Sequence, residues 1–190
     1  MSRLHFELGH SPTSLENECQ VAVVPGHFWH LPLIYSQVHW GAWTGHFSYW
    51  LIEEKKQFPM LVSMLGVAIF GYVKLPGVPL KPALLRVVET KNMAVGHTFL
   101  IKHHNHMEVA TCVVKAEYRR HGIGRILIDD AIALAGNLPV VASCMPKSHA
   151  MTMLLKKRGF VEIKQFSPAQ TGHVGLRHWQ YSSNCRHLTS

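Results

Sequence analysis

The sequence predicts an α+β domain, a mixed sheet covered by helices, over all 190 residues. Three observations carry that prediction. Short β-rich runs and two helical patterns follow one another through the second half in the order β, α, β, α, β, β. Hydrophobic residues make up 47% of the chain, enough for a sizeable core. Charged residues make up only 16%, below the usual quarter, which excludes a disordered or acidic solvating chain.

The elements follow in order. Residues 21–24 read as a short strand, stopped by Pro25-Gly26. Residues 28–40 and 47–57 read as two short helices. Residues 20–52 hold no Lys, Arg, Asp or Glu, but include His27, His30, His39 and His46 with Trp29, Trp40, Trp43 and Trp50. A packed aromatic layer with satisfied histidines is expected there, rather than one wall of a substrate pocket. Residues 60–73 form the longest strongly apolar run. It falls short of the ~18 residues a membrane span needs, and Gly66 and Gly71 interrupt it. It reads as a buried strand, and no membrane partner is expected.

Residues 84–88 are ambiguous between strand and helix. Residues 95–101 and 108–114 read as strands joined by a polar turn of His103, His104, Asn105 and His106. Over residues 122–135, Ile123, Ile126, Leu127, Ala131 and Leu134 recur at helical spacing, and Gly136-Asn137 ends the helix. Residues 140–145 read as a strand bounded by Pro146. Ser148 is expected to N-cap a second helix with Met151, Leu154 and Leu155 inward and Gly159 as its stop. Residues 160–166 and 174–181 make a final strand pair around a turn at 167–172.

Lys and Arg total 19 against 11 Asp and Glu, a balance of +8 with His neutral. Such a surface favours anionic partners: a phosphorylated cofactor, nucleic acid or acidic lipid. The 15 histidines add charge as pH falls. The cysteines at 19, 112, 144 and 185 form no CxxC pair, which points to reduced thiols in an intracellular compartment. Residues 1–14 lack the apolar stretch of a secretory signal, so a cytoplasmic location is expected.

The strongest chemical signal is Glu108-Val109-Ala110-Thr111-Cys112-Val113-Val114-Lys115-Ala116-Glu117-Tyr118-Arg119-Arg120-His121-Gly122-Ile123-Gly124. A strand runs into a basic, glycine-containing turn that opens a helix. The unbonded N–H groups of a first helical turn point into such a loop. Glycines let a phosphate approach the main chain, and Arg119, Arg120 and Arg125 add charge. On these grounds alone the ligand is any phosphate-bearing nucleotide. His97, His103, His104 and His106 fit no standard zinc spacing, so a solvated turn and no metal are expected. Lys156-Lys157-Arg158 reads as a solvated helix end, where cations suit the dipole.

Arg119-x-x-Gly122-x-Gly124 after a strand resembles the acetyl-CoA motif of the GNAT N-acetyltransferases, R/Q-x-x-G-x-G/A. Val114-x-x-x-Tyr118-Arg119 is similar to their V-x-P-x-Y-R, with Ala116 in place of Pro. The stretch from Ser148 through Leu155 to Lys157-Arg158-Gly159-Phe160 resembles their N-x-x-A-x-x-L-Y-x-K-x-G-F. The resemblance covers roughly residues 95–181. It implies one domain with a mostly antiparallel central sheet, two splayed parallel strands in its middle and flanking helices. Residues 95–181 would be the acyl-CoA-binding core, and residues 1–94 an elaborated half forming the acceptor side.

The resemblance also implies roles. Acetyl-CoA would be the cosubstrate, its pyrophosphate on the turn of Arg119, Arg120, His121, Gly122, Ile123 and Gly124, with Arg125 adjacent. The pantetheine arm would lie between the strands at 108–114 and 140–145. A main-chain N–H near Cys112, Val113 and Val114 would polarise the thioester carbonyl. Ser148 heads the second helix in place of the usual Asn. Cys112 and Cys144 would be small residues beside the pantetheine rather than nucleophiles. Glu108 stands where the histone-acetylating branch carries its catalytic Glu and is the candidate base; a strand-end surface contact is the alternative. Leu155 occupies the place of the Tyr that protonates the leaving thiolate in many members, and Tyr118 is structural. The expected activity is acetyl transfer from acetyl-CoA to an amine: a small molecule, a peptide or nucleic acid. The run Gly66-Val67-Ala68-Ile69-Phe70-Gly71 is similar to the layout of phage Mom-like DNA-modification relatives, an alternative that the +8 balance accommodates. A third alternative is a catalytically reduced structural protein on the same fold.

Overall fold

The computed structural model describes residues 21–44, 62, 65–73, 81–91, 93–163 and 176–182. Eight strands form one mixed sheet: β1 (Val21–Pro25), β2 (Tyr72–Val73), β3 (Lys81–Thr90), β4 (Met93–Lys102), β5 (Met107–Val114), β6 (Val140–Cys144), β7 (Val161–Ile163) and β8 (Arg177–Tyr181). Their order is β1-β3-β4-β5-β6-β8-β7, with β2 pairing β3 past the end of β1. β5 and β6 are parallel; the other pairs are antiparallel. The ambiguous segment at 84–88 is therefore strand: its alternation buries Ala83, Leu85 and Val87 on one face.

Helices cover both faces. On one, α1 (Leu31–Trp43) packs Ile34 and Val38 onto Leu85, Val87, Phe99 and Ile101. Pro32 sits in its first turn, where its missing N–H leaves no bond unmade. On the other, α2 (Ile123–Ala135) and α3 (His149–Lys157) bury Leu127, Ile128, Ala131 and Leu155 against Leu100, Val109, Ala142 and Trp179. Gly96 lets α2 sit close, since a Cβ there would meet the Val113 carbonyl at 2.9 Å and Ile123 at 3.2 Å. Arg86 ties β3 to the same helix through a two-pronged ion pair with Asp130, at 2.8 and 3.0 Å. No helix among the described residues is long and apolar enough to cross a membrane.

Three expectations need correction. Residues 65–70 are helical, not strand; Val67 is buried while Ile69 and Phe70 are exposed. The run has no period-two alternation, so apolarity alone carried the strand reading. The aromatic layer is not packed at the described tryptophans: Trp40 and Trp43 are exposed because α1 spends its inward face on Ile34, Val38 and Gly41, and Trp29 is exposed in the short 3₁₀ turn before it. His30, by contrast, is a satisfied histidine as expected, buried and 3.0 Å from Glu89 Oε1; His46 and Trp50 lie outside the described residues. Ser148 holds the N-cap position of α3 and is buried, but its side chain makes no capping bond to the helix. The helix expected at 47–57 and the turn at 167–172 lie outside the described residues.

One histidine is locked in the core. His97 faces α1 and bonds through Nδ1 to Gln37 Oε1 at 2.9 Å. Burial lowers its pKa to about 3. The unfolded chain thus takes up a proton near pH 6.5 that the folded chain refuses until about pH 3. His97 stabilises the fold above pH 6.5, and that contribution is lost as pH falls through this window. Urea denaturation of wild type against His97→Gln should show it: between pH 6 and 4 the wild type should lose up to ~1.4 kcal/mol more per pH unit. Equal slopes would place the His97 proton elsewhere.

Candidate functional site

β5 and β6 pair only through Met107↔Val140, Glu108↔Val141 and Val109↔Ala142. Beyond Val109 they separate, and a bulge marks the point of departure. Leu100 pairs with Val109 and Phe99 with Thr111, so Ala110 is an extra residue on β5. The buried Thr98 hydroxyl donates to the Thr111 carbonyl at 2.7 Å, holding the strand just past the bulge. Residues 110–114 and the end of β6 thereby line a cleft. Cys112, Val113 and Val114 stand on its β5 wall, and Cys144 ends its β6 wall with Sγ 3.6 Å from Thr152 Oγ1.

At the mouth, a 3₁₀ turn (Ala116–Tyr118) leads from β5 into α2. Arg120 (φ 66°) and Gly122 (φ 81°) both adopt left-handed backbone. Gly122 takes the N-cap position with no side chain to cap the helix, and Ile126 N–H is the first to bond back, to Gly122 O at 3.0 Å. The amides of Ile123, Gly124 and Arg125 therefore open toward the turn. Arg119, Arg120, His121 and Arg125 are exposed around them; the Ile123 side chain is buried, so only its main chain faces the turn. Arg119 Nε donates to Val114 O at 3.2 Å and its guanidinium lies 5.4 Å from the Trp40 ring, joining the turn to α1. Arg125 pairs with Asp129 at 3.5 Å. This is a concave, basic set of donors suited to a phosphate or pyrophosphate.

Glu108 lies at the other end of the split, on the α1 face, opposite Ile101. Its Oε2 accepts from His103 Nε2 at 2.8 Å, and His103 Nδ1 accepts from Lys81 Nζ at 2.9 Å. The ammonium fixes the tautomer, so the imidazole proton points at the carboxylate. His103 N–H bonds His106 O at 2.9 Å, closing the expected polar turn, and the two rings stack at 4.2 Å. Across β6, Ser143 Oγ bonds His178 Nδ1 at 2.8 Å on the same face. Burial lowers the His178 pKa, and the nearby Glu108 charge partly opposes that.

Lys81, Ser143 and His178 were not among the residues singled out from the sequence. Lys81 follows from register: Ala83 pairs with Ile101, so two residues further on Lys81 stands opposite His103. No signal marks Ser143 and His178, which meet only through the β6–β8 pairing. His97 is remote from the histidine turn, enclosed under α1. Leu155 is fully buried among Trp179, Phe160 and Ile128.

A model of the acetyltransferase (GNAT) family matches residues 47–160, more than half of the chain. No curated protein matches in sequence. Among solved structures, the chain is similar to a GNAT-family acetyltransferase from Staphylococcus aureus Mu50 (TM-score 0.65, 14% identity, 85% of this chain and 98% of that one). It is similar in the same shares to the PaiA N-acetyltransferase of Thermoplasma acidophilum, solved with coenzyme A (TM-score 0.65, 12% identity). The YncA putative acetyltransferase of Salmonella typhimurium, solved with acetyl-CoA, aligns over 85% of this chain and 93% of its own (TM-score 0.62, 15% identity). At these identities the likeness is one of fold.

Cys112 packs against both core clusters of the α2 face, and burial pushes its thiol up to about 12. The reactive thiolate is then almost absent at neutral pH. Iodoacetamide labelling at pH 8, read by peptide mass spectrometry, should leave Cys112 unmodified in the folded chain and label it in urea. Fast labelling of the folded chain would return Cys112 to the nucleophile candidates.

Proposed function

The chain belongs to the acetyltransferase (GNAT) family, and we propose from that membership that it moves the acetyl group of acetyl-CoA onto an amine by direct attack. The observation that carries the reading is the pairing of the β5–β6 cleft with the uncapped basic turn at its mouth. A long, thin cosubstrate with a pyrophosphate at one end and a thioester at the other fits that pairing. The first-turn amides of α2, with Arg119, Arg120 and Arg125, would hold the pyrophosphate. The main chain of Cys112, Val113 and Val114 would bond the pantetheine arm and polarise the thioester carbonyl. Ser148, at the head of α3, would border the same arm. Residues 95–181 would then be the acyl-CoA core, with residues 1–94 contributing the acceptor side.

Glu108 supplies the base in this reading. The amine reaches the site as an ammonium and needs a lone pair before it attacks. Glu108 Oε2 is held by His103, which leaves Oε1 to take the ammonium proton. Nitrogen then bonds the carbonyl carbon, the carbon–sulfur bond breaks, and coenzyme A leaves as a thiolate that takes up the second nitrogen proton, which leaves the neutral amide. Lys81 and His103 act as positioning residues: they aim the carboxylate and touch neither substrate. Leu155 has no proton to give the departing thiolate, so it serves the core alone.

Two substitutions test the two halves. Gly124→Asp places a carboxylate among the first-turn amides, where a Cβ already meets Leu154 at 3.3 Å. Calorimetry with coenzyme A should show binding abolished; unchanged affinity would remove the turn from the cosubstrate site. Glu108→Gln keeps the shape and removes the proton acceptor. Thiol release from acetyl-CoA with pooled amine acceptors should fall by roughly 10²–10⁴-fold, with coenzyme A affinity unchanged and a smaller loss at high pH, where more amine is already neutral. Full activity across pH would make Glu108 a structural residue.

A further inference from the structure

His103, His106 and Glu108 bring one ligand atom each within 4.8 Å of one another, all three half-buried. We infer that they form a three-ligand site for Zn²⁺ whose occupation silences acetyl transfer; the silencing, though not the site, rests on reading Glu108 as the base.

The turn builds the set. The His103 N–H to His106 O bond places the two rings one above the other, and β5 alternation puts Glu108 on the side of His106. One edge of the set, His103 Nε2 to Glu108 Oε2, is a 2.8 Å hydrogen bond that zinc would open to the roughly 3.4 Å edge of a tetrahedral shell, while the edges to His106 lie within 4.8 Å. His106 is already oriented for it: Nδ1 donates to Asn105 Oδ1 at 2.7 Å, which leaves the lone pair on Nε2. Two imidazoles and one carboxylate select zinc over magnesium or calcium and leave a fourth position open.

Lys81 is the built-in opponent. Ligation through His103 Nε2 needs the proton on Nδ1, which now faces the Lys81 ammonium. Zinc must therefore displace Lys81, and removing that charge should tighten the site. Zinc on the Glu108 carboxylate would in turn occupy the lone pairs that take the ammonium proton, and turnover would stop.

The test is titration of the full chain, stripped with a chelator, with zinc chloride by calorimetry, and with cobalt chloride by visible absorption. One Zn²⁺ per chain is expected, with d–d bands of a low-coordinate cobalt site. His106→Ala should weaken zinc by at least about tenfold, the low end of what even an outer partner is worth. Lys81→Met should strengthen it, and His104→Ala, an exposed neighbour outside the cluster, should leave it unchanged. No stoichiometric binding, or binding indifferent to His106→Ala, overturns the site. In thiol-release assays, zinc should inhibit wild type while His106→Ala keeps its basal rate and resists inhibition. Zinc bound with the expected dependences but without loss of turnover overturns the silencing. If Glu108→Gln is itself fully active, the base reading has failed, and the calorimetry still decides the site.

Discussion

The divergence of β5 from β6 after Val109 is the constraint on which the rest of the site depends. A sheet strand carries obligatory donors and acceptors, and parting two central strands withdraws partners from both. Ala110 makes the parting local by inserting one residue against β4, and Thr98 compensates by bonding the Thr111 carbonyl. The break costs the sheet little because both sides stay anchored. β5 keeps its antiparallel bonds to β4, and β6 keeps five register pairs with β8. What remains is a slot lined by main chain, suited to a cosubstrate arm with peptide-like groups of its own.

That slot was legible in the sequence only through family resemblance. The strand–turn–helix run from Glu108 to Gly124 could be read directly, because strand, glycine turn and helical period are local features. The bulge could not: nothing in Val109-Ala110-Thr111 separates a bulged strand from a regular one. The α1 face was least legible for a related reason. Its cluster joins Ile34, Val38 and Val67 to strands far along the chain, and uncharged sequence gives no sign of which aromatic rings such contacts turn outward. Exposed Trp40 and the helix at 65–70 are the result.

Electrostatics on the same face show how one register organises several groups. Lys81, His103 and Glu108 come from three strand ends, yet they form a single chain of bonds because β3, β4 and β5 are consecutive hairpin-linked strands. The ammonium sets the imidazole tautomer and the imidazole sets the carboxylate. Ser143 and His178 reach the face by the other route, through β6 and β8. Charges so placed are poised between two uses. In the proposed reading, the hydrogen bonds that would aim the carboxylate at an ammonium are those a zinc ion would have to break.

The opposite end of the slot uses backbone rather than side chains. Arg120, at φ 66°, holds a conformation that costs a non-glycine residue roughly 1–2 kcal/mol, and Gly122 at φ 81° avoids the same cost by lacking a Cβ. With only one residue between them, the two turn the chain sharply from the line of β5 into the axis of α2. A softer turn would carry the helix start away from the cleft. A side-chain cap at position 122 would take one of the first-turn amides internally and leave fewer for an anion. The strain at Arg120 and the missing cap at Gly122 therefore serve one end: donors left open, at the mouth of a cleft, in a ring of exposed arginines.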